Sequence, residues 1–382
     1  MTTSTADGPQ AVSDSVTNIG LEKAPQAVSD SVANTGPSGK GGRILCFGEM
    51  LLRFTPNFNE LLMQSPALTV RPGGAEANVA VALAQFGAPV SMATVLPDNA
   101  LGRGARDEVR RYGVDASPVV FTSGRMGLYF LTPGAVRRPS EVLYDRAGSA
   151  FVENVHTAFD WDALLDGVEW LHASGVTPAT GPNGSAAAIA LTEAAVRKGV
   201  KVSYDGNFRG KLWEQWDGDP PGTLGRMLSA ATVAFADDRD FALVLGAKFD
   251  SVHPAERRRL AAAAAFEAFP RLQRIACTLR VQESVVDQAL SAVMLTRGED
   301  DTVIETRAEA IHMTGVIDRV GGGDAFASGV LYGLWSGWTD QRALDFGLAA
   351  AVLKHSVPGD FNLFQASEVE AAMCAEGFDI KR

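Results

Sequence analysis

Apolar residues along this chain gather into short runs, several followed by a helical stretch that stops at a glycine. Residues 44–47 (ILCF) form the first run and end at Gly48, the pattern of a buried strand. Residues 78–86 (NVAVALAQF) predict an Ala-rich helix closed by Gly87, and 90–95 (VSMATV) predict the next strand. The alternation returns at 168–173, followed by a helix over 185–198 that stops at Gly199 and a strand over 202–205. Apolar runs at 232–235 and 274–279 come next, the first leading into a helix around 238–246. Strands alternating with helices predict an α/β fold, a mainly parallel sheet covered on both faces.

Two stretches break the alternation. Residues 51–71 and about 119–147 carry short alternating segments, such as GLYFLT at 127–132 and EVLYDR at 141–146, with no helix between them. They read as antiparallel hairpins, and small β elements beside the ligand edge of an α/β sheet often serve as a lid. Residues 1–42 differ again, being rich in Ser, Thr, Ala, Gly and Pro, with PQAVSDSVTNIG at 9–20 recurring as PQAVSDSVANTG at 25–36. A short unit present twice cannot bury a core, so this segment reads as a disordered tail preceding one domain over 43–382.

Bulk properties narrow the function. The 382 residues carry a net charge of −11, which disfavours nucleic acid or an anionic membrane as partner. Cys46, Cys277 and Cys374 are too few and scattered for a disulfide framework or a zinc site, so a reducing cytoplasm fits. None of His156, His172, His253, His312 and His355 sits at metal-ligand spacing.

The sharpest segment is Asp318-Arg319-Val320-Gly321-Gly322-Gly323-Asp324, opening a small-residue helix that runs towards Leu334. Glycines at a helix N-terminus expose amides to an anion. A carboxylate there would repel that anion unless it has its own task. General-base catalysis supplies one: Asp324 takes a proton from an acceptor hydroxyl while the Gly321, Gly322 and Gly323 amides hold the transferring phosphoryl group. The other reading of Gly and Asp at this place is an ordinary helix cap. A second pair, Gly73-Gly74, precedes Ala75-Glu76-Ala77-Asn78. It matches neither G-x-x-x-x-G-K-[ST] nor G-x-G-x-x-G, which disfavours P-loop and dinucleotide-dependent enzymes.

Taken together and in this order, Gly73 to Ala80 and Asp318 to Asp324 resemble the two signatures of the PfkB, or ribokinase-like, carbohydrate kinases, over about residues 43–376. The resemblance implies a Rossmann-type three-layer α/β sandwich with a small β-sheet lid, in-line transfer from ATP with Mg2+, and a homo-oligomer, a dimer through the lid. It leaves a monovalent-cation requirement open. Within the family, Asp205-Gly206-Asn207-Phe208-Arg209-Gly210-Lys211-Leu212-Trp213 is similar to 2-keto-3-deoxygluconate kinases. So are Gly127-Leu128-Tyr129, Tyr144 to Ala150, and Pro358-Gly359-Asp360-Phe361-Asn362.

That substrate is a sugar acid, and its carboxylate suits an arginine fork. Arg209 is the first candidate and Arg146 the second, with Tyr129 and Tyr144 offering hydroxyls; the resemblance adds Gly73, Gly74, Asn78, Asn207 and Asp360 as substrate contacts. On the nucleotide side it places Thr278 and Arg280, with Gly321 and Gly323, near the ATP phosphates, and the helical run 343–355 at the adenine. One departure stands out. The family's Asn-x-x-Glu segment, linked to magnesium, reads Asp237-Asp238-Arg239-Asp240 here, which makes Asp237 and Asp240 the metal candidates. A kinase for a neutral sugar such as fructose or ribose, and a non-catalytic sugar-binding regulator of the same fold, are the competing readings.

Overall fold

The computed structural model describes residues 41–374; the expected tail lies almost wholly outside them. Thirteen strands form two sheets: β1 (Arg43–Phe47), β2 (Leu51–Pro56), β3 (Leu68–Gly73), β4 (Val90–Pro97), β5 (Val119–Thr122), β6 (Gly127–Thr132), β7 (Glu141–Asp145), β8 (Val168–Ser174), β9 (Lys201–Asp205), β10 (Val233–Phe235), β11 (Arg274–Gln282), β12 (Gln288–Arg297) and β13 (Val303–Met313). The large sheet runs β13-β12-β11-β10-β9-β8-β1-β4-β5, parallel from β11 to β5.

Because the sheet is covered on both sides, its central strands are apolar throughout. Every residue of β4 is buried. Alternate residues of β1 serve different layers. Ile44 and Cys46 pack with the helix Ala75–Gln85 and its neighbours Gly322–Trp335 and Asp340–Lys354. Leu45 and Phe47 pack with the helix Pro182–Arg197. This is the expected three-layer α/β architecture. Among the described residues, no helix is long and apolar enough to cross a membrane.

The second sheet, β3-β2-β6-β7, is the lid. Its two hairpins are antiparallel as expected, but they are joined by a parallel β2–β6 pairing. The lid's registers align Arg71, Arg53, Tyr129 and Tyr144 across the four strands. One residue further along each central strand, on the opposite face of the pleat, Val70, Phe54, Phe130 and Leu143 line up instead.

Two expectations need correction. Residues 119–122 form β5, which pairs in parallel with β4 at the edge of the large sheet and is not part of the lid. The run at 274–279 extends to Gln282, because β11 continues as the partner of β12. Thr278 and Arg280 are therefore inside a strand and not at its end. The antiparallel β12–β13 extension was not among the expected elements, although Glu305, Arg307 and Glu309 alternate with Thr306, Ala308 and Ala310 as in a half-exposed strand.

Candidate active site

The parallel strands deliver their C-terminal ends to one edge of the sheet, where ligands collect in such folds. Glu49 follows β1, Val176 follows β8, Asn207 and Arg209 follow β9, and Asp205 is the last residue of β9. These residues, the loop 319–324 and the inner face of the lid enclose a cavity of about 360 Å³. That volume suits a sugar-sized ligand.

Asp324 stands in the first turn of the helix Gly322–Trp335. Gly321 caps this helix with φ 82°, in the left-handed region, and a Cβ there would collide with the carbonyl oxygen of Asp360. Only glycine allows that approach. At Gly323 a side chain would meet nothing, so open space lies before the helix's first-turn amides, which have no acceptor within the helix. Gly321 and Gly323 both line the cavity, whereas Gly322 turns towards the ring of His355.

The carboxylate of Asp324 accepts from Nδ2 of Asn78 at 2.6 Å. Burial pushes its pKa up to about 7, the Asn78 hydrogen bond opposing and the Asp360 charge adding to the rise. A carboxylate poised near neutrality suits a general base. Oδ1 of Asn78 is buried with no hydrogen-bond partner and is available to a hydroxyl. Gly74, with φ 145°, brings this helix start against the backbone of Glu49, while Gly73 sits behind the cavity against the Asp360 carboxylate.

The two arginine candidates differ. Arg209 is exposed, lines the cavity and makes no ion pair among those found in the described residues. Arg146 is buried and committed to Glu49: Nε donates to Oε2 at 2.8 Å and an Nη lies 2.5 Å from the same oxygen. Ser149 donates to the other Glu49 oxygen at 2.6 Å. Asn207 takes a left-handed backbone (φ 37°) beside Arg209. Tyr129 and Tyr144 lie with ring centroids 6.2 Å apart on the lid's inner face.

Asp360 also lines the cavity, but its carboxylate is shared. Arg53 Nη1 lies 2.8 Å from Oδ1, and the hydroxyl of Tyr129 donates to Oδ2. The same Arg53 reaches Asp318 at 2.6 Å. Burial and the Asp360 charge push the Tyr129 phenol well above its usual pKa. Sequence reasoning had not singled out Glu49, Arg53 or the cavity-lining Arg319. Glu76, quoted only as part of a motif, is buried against Ser174 and Thr177, and burial raises its pKa.

On the far side of the loop, Arg280 donates to Gln288 at 3.0 Å. Burial and the neighbouring charge of Arg319 lower its pKa to about 10, so an anion there would relieve both arginines. Neither Thr278 nor Arg280 lines the sugar-sized cavity. The small residues of the helix Asp340–Lys354, expected beside the adenine, pack tightly on the helix Gly322–Trp335, with Gly347 against Gly329.

Asp237 and Asp240 form a reciprocal capping box at the start of the helix Asp238–Leu245. Asp237 is further held by Arg239, which lowers its pKa, whereas burial raises that of Asp240 to about 6. Among the described residues, no group of three or more His, Cys, Asp or Glu is arranged to hold a metal unaided. A magnesium ion would therefore depend on phosphate oxygens for most of its shell.

Residues 42–364 match the model of the pfkB family carbohydrate kinases. A 2-dehydro-3-deoxygalactonokinase of Haloferax volcanii is 31% identical over 337 residues, 86% of this chain and 96% of that protein. The crystal structure of a 2-dehydro-3-deoxygluconokinase from Thermotoga maritima superposes with a TM-score of 0.81 at 33% identity, covering 87% of this chain and 99% of the other. Fructokinase-1 of Oryza sativa subsp. japonica is 34% identical, over only 46% of this chain and 54% of its own length.

Proposed function

Since the chain belongs to the PfkB family of carbohydrate kinases, we propose that it phosphorylates 2-keto-3-deoxygluconate, or its galactonate-derived epimer, on the terminal hydroxyl with ATP. The observation that carries this reading is the pairing, in one cavity, of a near-neutral Asp324 with an exposed, unpaired Arg209. A neutral sugar has no use for that arginine, whereas a sugar acid presents a planar carboxylate that matches its fork.

The chemistry follows from the residues. The substrate carboxylate sits at Arg209, with Asn207 and Tyr144 beside it, and the terminal hydroxyl reaches Asp324 and Oδ1 of Asn78. Asp324 accepts the hydroxyl proton as the new oxygen–phosphorus bond forms. The amides at Gly321 and Gly323 stabilise the charge that spreads over the transferring phosphoryl oxygens. Arg280 and Arg319 hold the remaining phosphates. Asp240 is the protein carboxylate that would help hold a magnesium ion bound with the nucleotide, and that ion would neutralise phosphate charge. Water is kept out by the lid, clamped through Arg53 and Tyr129 onto Asp318 and Asp360.

The lid carries a second assignment. The aligned Val70, Phe54, Phe130 and Leu143 present an apolar row on its outer face, with Val70 48% and Leu143 58% exposed. A second copy of the chain covers that row in a homodimer of a cytoplasmic enzyme.

The test is ADP release with MgATP across 2-keto-3-deoxygluconate, its galactonate epimer, fructose, ribose and gluconate, beside an Asp324→Asn control. Turnover confined to the keto-deoxy acids and abolished in the control is expected. Efficient turnover of fructose or ribose would replace this substrate with a neutral sugar.

A further inference from the structure

Lys354 ends the helix Asp340–Lys354 and is wholly buried, with 0% exposure. A lysine in such a place needs strong partners to remain charged. Its Nζ donates to the carbonyl oxygens of Asp318, at 3.2 Å, and Val357, at 3.4 Å. Burial lowers its pKa, while the charges of Asp318 and Asp360 oppose that fall.

The two carbonyls belong to the segments that shape the anion hole. Asp318 opens the loop leading to Gly321, and Val357 opens the loop whose Asp360 carbonyl fits against Gly321. Other bonds join the same segments: the amides of Ile317 and Asp318 donate to the carbonyl of His355, and that of Gly359 donates to the Asp318 carboxylate at 3.0 Å. The lysine's charge offsets the one that Arg53 alone leaves unmatched on Asp318 and Asp360, yet its hydrogen bonds go elsewhere. Arg53 already bonds to both carboxylates of the cluster, whereas the ammonium bonds to backbone carbonyls. Backbone carbonyls gathered around a point are the surroundings in which proteins hold a small monovalent cation.

Building on the kinase reading, we propose that Lys354 is a positioning residue, a tethered cation that locks the Asp318–Gly323 loop against the 357–360 loop. The tether makes the anion hole independent of dissolved monovalent cations. Its effect falls on the transition state, through the amides at Gly321 and Gly323, and hardly on binding of the sugar, which Lys354 does not touch.

The experiment compares wild type, Lys354→Ala and Lys354→Met in choline chloride, potassium chloride and methylammonium chloride. Wild-type kcat should be the same in all three salts. In choline, Lys354→Ala should lose about 10- to 100-fold in kcat, the scale of a displaced catalytic loop, with the sugar KM little changed. Methylammonium, which fills the space left by the side chain, should restore part of that rate and raise the variant's melting temperature, whereas choline should do neither. The melting readout needs no sugar, so it holds even if wild type turns over none of those tried, an outcome that would count against the kinase reading. An active wild type with an undiminished Lys354→Ala, or a wild type that itself needs potassium, overturns the positioning role. Lys354→Met keeps the stem and drops the charge. Full activity in that variant, or failure of both variants to fold, would reduce Lys354 to a packing residue.

Discussion

Asn78 donates from Nδ2 to Oδ2 of Asp324 across 2.6 Å, joining two glycine-rich segments that lie 246 residues apart in the chain. The bond favours the charged carboxylate and pulls its pKa down, against burial, which drives it up to about 7. A base must be deprotonated to act, so kcat/KM should rise with pH through about 7 and level above it. Asn78→Ala removes the downward pull. Its acidic limb should move to higher pH by roughly one unit, the scale of a hydrogen bond to a charged group. Asp324→Asn should lose about 10²- to 10⁴-fold in kcat at every pH. A kcat/KM profile from pH 5 to 9 for the three proteins checks both statements, and identical limbs for wild type and Asn78→Ala would contradict the first.

Arg209 and Arg146 should respond to truncation in opposite ways. Arg209 is exposed and unpaired, so Arg209→Ala should leave the melting temperature almost unchanged. It should raise KM for the sugar acid about 10- to 100-fold, the loss of a charge-assisted bond, with no matching effect on any neutral sugar that is turned over. Removing Arg146 leaves Glu49 buried without its cation, which costs on the order of 3–5 kcal/mol. Arg146→Met should therefore lower the melting temperature markedly, and Glu49→Gln in the same chain should recover part of the loss. Calorimetry and sugar-acid kinetics on the same preparations separate the two roles.

The outer face of the lid gives a prediction about assembly. Phe130 pairs with Leu143 and stacks on Phe54, ring centroids 5.3 Å apart, and Leu143 is the more exposed end of the row. A charge placed there would have to be buried unpaired in a dimer that uses this face. Leu143→Glu should shift the protein from dimer to monomer in light scattering while the melting temperature of the separated chain stays within a few degrees. An unchanged mass would exclude this face as the interface.

Much of the site was legible because strand ends and glycines are local signals. Gly48, Gly206 and the Gly321–Gly323 run mark places where the chain leaves a strand or enters a helix, and Asp205, Arg209 and Asp324 lie beside them in the sequence. The supporting residues were not legible for the complementary reason. Arg53 meets Asp360 across 307 residues and Arg146 meets Glu49 across 97, and no periodicity within a window reports such a pairing. Arg146, read from the sequence as a substrate ligand, lines the cavity with its charge already matched by Glu49. β5 was misplaced on similar grounds. Four residues of strand look alike in a lid or at a sheet edge, and only the partner, β4, distinguishes them.

Asp240 allows the magnesium assignment to be separated from the capping role it shares with Asp237. Oδ2 of Asp240 accepts from the amide of Asp237 at 2.8 Å, and burial raises its pKa to about 6. The folded-state value lies above the unfolded one, so between about pH 4 and 6 the folded chain keeps a proton that the unfolded chain releases. Stability from this group is full below that window and is lost as pH rises through it, by roughly 1–3 kcal/mol. Asp240→Asn keeps an oxygen for the capping bond and removes the charge. Its melting temperature should exceed that of wild type at pH 8 and converge with it near pH 4. A cation beside the carboxylate favours the charged form. Magnesium with ATP should therefore flatten the wild-type slope, and the variant should need more magnesium for half-maximal rate. Asp237→Asn is the contrast, because Arg239 already holds that carboxylate 2.5 Å away. It should lose about 1 kcal/mol of cap and ion-pair stability with its magnesium dependence unchanged. Equal magnesium dependence in wild type and Asp240→Asn would leave Asp240 with the helix cap and no part in holding the metal.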